Sequence, residues 1–461
     1  MGQVRVSVII NTLDRAGSLE RTLLSLRQLR YPDFEVVVVH GPCRDHTAEL
    51  LARYAPTIRI GACPDANLSM SRNIGIAMAR GDVLAFLDDD AIPEPDWLDR
   101  LVTGFRDPKI GSAGGFIRDH DGVRFQYRVI VADRFGEAEK FTQAPASLGR
   151  NRYLSPTGTN VALRRDALLA IRGFDEEYAY FLDETDVNLR LIDEGWQTAV
   201  VPDAEVHHKF AQNQIRGADR VPQSMYLIAR SKAYFCWVNA VGRHSPAEIE
   251  RNLRTFRAVR GRRLRNLHRK GRIDWQSLAR LTAEIAEGLR DGARDAREQG
   301  GRSLLTKSLI ANHQAEEFRP YPTPIQAETR LRVCFLSRNY PPFGNDETSG
   351  QVGGMARGLA ALGHEVTVIC ASPYRHPFVE FADGVWVHGA VDNGFLARLR
   401  PNYRAAAARE VARAQPRRNF QLVCGPPTEA GPIDAIERRL QGIVAGGGGK
   451  TIYLEKTTAA A

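Results

Sequence analysis

Three consecutive carboxylates, Asp88-Asp89-Asp90, follow an apolar run from Val83 to Leu87. Such a run reads as a buried strand, and its polar cargo then lies where the sheet meets solvent. Adjacent carboxylates repel unless something positive sits among them. Hard divalent cations prefer oxygen ligands and bridge carboxylates to phosphates, so the triplet points to Mg²⁺ or Mn²⁺ holding a diphosphate. The competing reading is a solvated acidic turn ahead of Pro93. Upstream, Ser71-Arg72-Asn73 opens a predicted helix over Asn73–Ala79. The Arg72 guanidinium has the fork geometry to clamp phosphate oxygens, and a helix N-terminus favours anions.

The elements that must position these groups alternate. Val4–Ile10 and Phe34–Val39 read as strands. A helix with the apolar face Leu19, Leu23, Leu26 and Leu29 lies between them, capped by Asp14 or Ser18. Thr47–Tyr54 is the next helix and Ile58–Ile60 a third strand. This alternation predicts a doubly wound α/β sheet, with ligands at the carboxyl ends of its strands. Thr12, Asp14 and His40, in the turns after strands one and two, are then candidate nucleotide contacts. Later come the strand Asn160–Leu163, the helices Arg165–Ala170 and Val187–Asp193, and two short segments, Ala199–Val201 and Pro202–His208.

The ordered motifs resemble the family 2 glycosyltransferases of GT-A fold across residues 1–215. The matching residues are Val6–Thr12, Asp45, Thr47, Asn67, Ser71–Gly75, Gly81-Asp82, Asp88-Asp89-Asp90, Gly158-Thr-Asn160, Gly173-Phe-Asp175, Asp183-Glu-Thr-Asp186 and His207-His208. The resemblance implies a Rossmann-like mixed sheet and a nucleotide-diphospho-sugar donor. It implies donor contacts at Asn67, Arg72, Asp88, Asp89 and Asn160, and a Mn²⁺ or Mg²⁺ held by Asp90 and Asp88. His208, preferred over His207 by register, completes that site. Inverting transfer needs a carboxylate to take the acceptor hydroxyl's proton. The family motif puts that base at Glu184, with Asp183 the neighbouring candidate; an acidic helix start stabilised by the dipole accounts for only part of the constellation. The chain departs from the family at His40, where an Asp is usual, and at Glu184 itself. It lacks the Gln-x-x-Arg-Trp of processive members, having Gln212-Asn-Gln-Ile-Arg216-Gly217 instead. Transfer of one sugar per encounter to a saccharide or lipid-linked acceptor follows, in a setting of bacterial surface glycan assembly.

The rest of the 461 residues divides at 242 and 330. Residues 243–330 form a helical region and a Pro-rich linker. The net charge of +9 is concentrated there, with Arg257, Arg260, Arg262, Arg263, Arg265, Arg269 and Arg272 close together. Anionic lipid or glycan fits this run, as does a plain solvated helix face; no nucleic-acid reading motif accompanies it. No apolar run approaches the ~20 residues that cross a bilayer. Tyr226–Val241 comes nearest and carries Arg230 and Lys232. No secretory segment opens the chain, so a cytoplasmic protein, peripheral at the inner membrane face, is expected. The six cysteines stand singly, which suits free thiols.

Residues 331–461 resemble the first half of a family 4 glycosyltransferase of GT-B fold, through Arg332–Pro342, Gly350–Gly354 and Gly363–Ile369. The resemblance implies a Rossmann-like half-module, inactive alone. Ala445–Thr451 imitates a phosphate-binding loop, but Val444 stands where a Gly is required and a strand follows. Two other functions remain open: a non-catalytic glycan-binding or scaffold protein on a degenerate transferase fold, and a nucleotidyltransferase.

Overall fold

The computed structural model describes residues 3–212, 215, 217, 221–298, 302–312, 317–322, 330–344, 347–391, 403–425 and 450–453. Its first part alternates β1 (Val6–Thr12), α1 (Ala16–Leu26), β2 (Phe34–His40), α2 (Thr47–Tyr54), β3 (Arg59–Ala62), α3 (Leu68–Met78) and β4 (Val83–Asp88). β5 (Ala91–Pro93), α4 (Trp97–Leu101) and β6 (Ile110–Arg118) follow. The stretch after Arg118 holds β7 (Phe125–Tyr127), β8 (Val129–Asp133), β9 (Ala138–Phe141) and β10 (Arg152–Leu154). β11 (Asn160–Arg164), α5 (Arg165–Ala170), α6 (Asp183–Asp193) and β12 (Gln197–His208) complete the unit.

The main sheet runs β3-β2-β1-β4-β11-β6-β12-β5, with β7 on β6. The first four strands are parallel, and β11 enters antiparallel between β4 and β6. This is the mixed α/β sheet of a GT-A fold. The reversal decides where the chemistry sits. Leu87 at the carboxyl end of β4 pairs with Asn160 at the start of β11. β12 runs antiparallel to β5 and sets His208 opposite Ala91, next to Asp90. Residues distant in sequence therefore meet at one sheet edge. Leu19, Leu23 and Leu26 of α1 pack under one face with Val8, Val36 and Ala85. The alternate residues Ile9, Val37 and Phe86 face Ile76 of α3 on the other, as the two-residue period of a strand requires.

Three local expectations are corrected. Asn67 caps α3, accepting from the Met70 N–H at 3.0 Å, so the helix begins before Ser71 and Arg72 lies inside it rather than at its mouth. Neither Asp14 nor Ser18 caps α1; Asp45 does so from the next loop, accepting from the Ala16 N–H at 2.9 Å. Asp14 takes a positive φ of 54° and accepts from the Arg44 N–H at 2.6 Å. The segments around Pro202 form one strand, β12, whose pairing slips between Val201 and Val206; Pro202 has no N–H for the ladder.

Behind α6 lie α7 (Tyr226–Asn239), α8 (Pro246–Arg269) and α9 (Trp275–Glu298), followed by α10 (Lys307–Asn312). Among the described residues no helix is long and apolar enough to cross a membrane. A second sheet is built from β13 (Arg332–Leu336), β14 (Glu365–Ala371), β15 (Phe378–Ala382), β16 (Val385–Ala390), β17 (Leu422–Gly425) and β18 (Lys450–Tyr453). Two helices flank it, α11 (Glu347–Ala361) and α12 (Tyr403–Arg418). Its order is β15-β16-β14-β13-β17-β18, parallel except for β15. Val333 and Phe335 of β13 face α11 while Cys334 faces α12, giving the expected Rossmann-like layering. Lys450 and Thr451 lie on β18; the glycines before them fall outside the described residues, as does part of the segment around Arg216.

Candidate active site

The carboxyl edge of the main sheet opens on a cleft of about 250 Å³. Thr12, Arg15, Asn67, Asp88, Asp89, Asp90 and His208 are among its lining residues. The three acids that end β4 have different partners. Asp88 accepts from the Thr159 hydroxyl at 2.6 Å. Asp89 accepts from the Thr12 hydroxyl at 2.7 Å and is ion-paired with Arg15. Asp90 accepts from the Ala211 N–H at 2.7 Å, with Arg15 3.6 Å away. Burial, helped by the Asp90 charge, pushes the Asp89 carboxyl up to about 7 against the pull of Arg15 and Thr12. Burial also opposes ionisation of Asp90, but His208, Arg15 and the Ala211 N–H outweigh it and hold that carboxyl down at about 2.

Asp89, expected at the donor, is thus held internally by Thr12 and Arg15. Asp88, Asp90 and His208 remain, each offering a ligand atom within 4.8 Å of the others. His208 Nδ1 lies 2.9 Å from Gln126 Oε1 and donates to it, which leaves Nε2 turned to the acids. Nε2 lies 3.3 Å from Asp90 Oδ1, a buried oxygen that no other donor among the described residues reaches. A divalent cation held by Asp88, Asp90 and His208 would take the place of the proton that this imidazole and carboxylate can share. The donor set of two carboxylates and one imidazole suits Mn²⁺ and, less well, Mg²⁺. His207 points to the opposite side of β12 and bonds Glu94 at 2.8 Å.

A second group lies beside the first. Arg72, 4% exposed, is ion-paired with Asp183, comes within 3.8 Å of Glu184 and feels the charge of Asp88. Its guanidinium also lies 5.1 Å over the Phe174 ring. Gly158 makes room for it, since a Cβ there would fall 2.1 Å from Arg72 Nη2. Arg72 therefore holds the acidic start of α6 instead of standing ready at a helix mouth. Burial and the Asp183 charge raise Glu184 to about 8, with Arg72 opposing. A carboxyl at that value is suited to accept a proton near neutral pH.

α6 is fixed from behind. Asp186 is fully buried, accepting from Arg190 at 2.7 Å, Arg302 at 2.6 Å and Asn239 at 2.9 Å. Arg302 also reaches Asp175 at 3.2 Å. Burial, with Asp186 nearby, raises Asp175 to about 6.

Other expected donor contacts are placed differently. Asn160 is 1% exposed, and all its capacity is spent inside. Its Oδ1 accepts from Trp97 Nε1 at 2.8 Å, and its Nδ2 donates to the carbonyls of Phe116 at 3.0 Å and Ala204 at 2.8 Å. It pins β11 to β12 and is not among the residues that line the cleft. Asn67 lines the cleft while capping α3 and donating to the Glu176 carbonyl at 2.7 Å. His40 Nδ1 lies 2.9 Å from the Gly41 carbonyl oxygen, and Gly41 rather than His40 lines the cleft. Asp14 turns to Arg44, away from it. Sequence reasoning missed Arg15, Thr159 and Arg302. Arg15 follows directly on the strand-one turn, a position that sheet logic already marked; Arg302 carried no local signal.

Residues 7–172 match the family model described as glycosyl transferase family 2. The O-antigen biosynthesis protein RfbC of Myxococcus xanthus is 30% identical over 259 residues, which are 52% of this chain and 20% of that one. A glucosyl-dolichyl phosphate glucuronosyltransferase of Haloferax volcanii is 28% identical over 185 residues, 37% of this chain and 56% of its own. An N-acetylglucosaminyl-diphospho-decaprenol L-rhamnosyltransferase of Mycobacterium tuberculosis is 26% identical over 273 residues, 52% of this chain and 84% of its own. The chain thus spans from a fifth to little more than half of the first curated relatives. Among solved structures it is similar to mannosyltransferase PcManGT of Pyrobaculum calidifontis, in complex with GDP-Man and Mn²⁺. That likeness has TM-score 0.38 and 15% identity, over 65% of this chain and 89% of that one. The match to the glycosyl transferase family 2 model takes in the part of the cleft formed by β1, α3 and β4, including Asp88, Asp89 and Asp90, while His208 lies beyond it.

Proposed function

We propose that the chain is a metal-dependent, inverting, non-processive glycosyltransferase. It moves a sugar from a nucleotide diphosphate donor to a saccharide or lipid-linked acceptor in bacterial surface glycan assembly. The observation that carries this reading is the meeting of two acidic sets around Arg72: Asp88, Asp90 and His208 with ligand atoms within 4.8 Å of one another, and Asp183–Glu184 at the start of α6, ion-paired with the Arg72 that also feels the charge of Asp88. When bound, a divalent cation at the first set neutralises the leaving diphosphate. Asp90 and His208 would hold it, with Asp88 completing the set. Arg15 balances Asp89, so that one acid of the triplet does not repel the donor. Glu184 takes the acceptor hydroxyl's proton, and Arg72 balances the charge of Asp183 next to it. The names of relatives in O-antigen assembly and rhamnosyl transfer support the setting. The parallel sheet of residues 331–453 supports the GT-B half-module reading for the C-terminal part. The test is a thermal-shift screen of nucleotide sugars with and without Mn²⁺. Stabilisation by at least one donor that depends on Mn²⁺ is expected; no stabilisation by any donor in either condition overturns the reading.

The basic region supplies a surface for the lipid side of that reaction. On α8, Arg251, Arg254, Arg262, Arg265 and Arg269 recur at helical-turn spacing and lie opposite the buried Ile249, Phe256 and Leu264. Trp275, 69% exposed, stands beside the end of the helix, its ring 5.8 Å from that of His268. A cationic face with a projecting Trp suits an anionic bilayer surface. Co-sedimentation with anionic but not neutral vesicles, lost when Arg262, Arg265 and Arg269 become Gln, is the expected result.

A further inference from the structure

His208 stands between two residues that the C-terminal module grips. On one side, His207 turns away from the cleft, with Nε2 on Glu94 at 2.8 Å and its ring 5.1 Å from Trp386 of β16. Glu94 meets Arg418, the last residue of α12, at 2.8 Å, and the Arg418 guanidinium lies 4.0 Å over Trp386. All four residues are 4% exposed or less. On the other side, Lys209 Nζ donates to the Val379 carbonyl of β15 at 2.9 Å and reaches Glu380 at 3.3 Å.

The same strand is tied again one loop away. The Val379 N–H donates to the Asp121 carbonyl at 2.8 Å. The backbones approach so closely that a Cβ on Gly122, at φ +70°, would fall 2.3 Å from the Val379 carbonyl oxygen and 2.9 Å from His207 Nδ1. Arg417 with Glu205 at 2.7 Å and Arg30 with Glu365 at 2.7 Å extend the seam on either side.

Buried ion pairs add little net stability over apolar packing, but they fix one arrangement against others. Here the arrangement they fix is the end of β12. The two-residue strand period puts His207 and Lys209 on the face opposite His208. Holding both neighbours from behind sets the direction in which the His208 imidazole projects. Groups that orient a ligating histidine tune its metal affinity; Gln126 does so by bonding the His208 ring, and the module acts one step further out, through the backbone on either side of His208.

We propose that the C-terminal module is a positioning element for His208: its docking through Arg418, Trp386 and Val379 sets the geometry, and so the affinity, of the cation site. This inference rests on the metal reading above. Two variants of the full chain test it. Lys209→Met removes the hold on β15. The double variant Arg418→Met with Glu94→Gln removes the buried charge pair without leaving either charge unpartnered, and the amide oxygen that replaces the carboxylate still accepts from His207. Mn²⁺ affinity is read directly by electron paramagnetic resonance of the free ion, alongside thermal melts. About tenfold or greater weakening of Mn²⁺ binding in both variants, with folded melts, is the expected result. Wild-type Mn²⁺ affinity retained within about twofold in either folded variant overturns the inference while leaving the metal reading intact. Absence of Mn²⁺ binding by the wild type overturns the metal reading, and the inference with it.

Discussion

Asp90, buried just beyond the tip of β4, and Glu184, on the first turn of α6 with its side chain 23% exposed, are driven in opposite directions by their surroundings. Asp90, next to His208, Arg15 and a backbone N–H, is held down at about 2 despite its burial. Glu184, partly withdrawn from solvent beside the like charge of Asp183, is raised to about 8, although Arg72 stands close. Burial works against the charged form at both, so burial alone cannot separate them; the sign of the nearest neighbours does. One acid is thereby suited to remain an anion for a cation, the other to exchange a proton.

The contrast can be broken most sharply at Glu184. Glu184→Gln keeps the shape and removes the base, so the transfer rate should fall by about 10²–10⁴-fold while Mn²⁺ and nucleotide binding persist. An unchanged rate in a steady-state transfer assay would assign the base elsewhere, with Asp183 first in line. Removing the support behind α6 comes next. Arg302→Met leaves Asp175 and Asp186 as buried acids lacking that cation, and chemical denaturation should show a loss of about 3–5 kcal/mol.

The pH profile sharpens the comparison. Glu184 must be deprotonated to accept a proton, and its value is raised, so activity should climb with rising pH and reach half its plateau near 8. Asp183→Asn removes the like charge and should move that midpoint toward acid by about one unit. A midpoint that does not move would put burial alone in control. The smallest expected effect is at Thr159. Thr159→Val deletes the hydroxyl donated to Asp88 at 2.6 Å and should weaken Mn²⁺ binding by about 1 kcal/mol, measurable by calorimetry.

Much of this edge was legible in the sequence, because strand period and triplet together say where a parallel sheet presents its acids. Thr47–Tyr54 and Arg165–Ala170 lie where the pattern puts them, and the strand expected over Val83–Leu87 runs one residue further, to Asp88. The preference for His208 over His207 came from register alone, and the two side chains do part to opposite sides of β12. What stayed hidden was which polar residues face inward. Asn160 carries the same side chain whether it meets a sugar or Trp97, and only the antiparallel entry of β11 decides. The strength of Asn67 as a cap moved the start of α3 and took Arg72 from the helix mouth. Arg302 and Arg418 act across distances in the chain that no local pattern encodes.

The division of labour between the two acids is tested most directly by calorimetric titration of Mn²⁺ with a nucleoside diphosphate into the wild type, Asp90→Asn and Glu184→Gln. Mn²⁺-dependent binding should vanish or weaken by more than about tenfold in Asp90→Asn and stay at the wild-type level in Glu184→Gln. Equal binding in all three proteins, or loss at Glu184→Gln with Asp90→Asn unaffected, would contradict it.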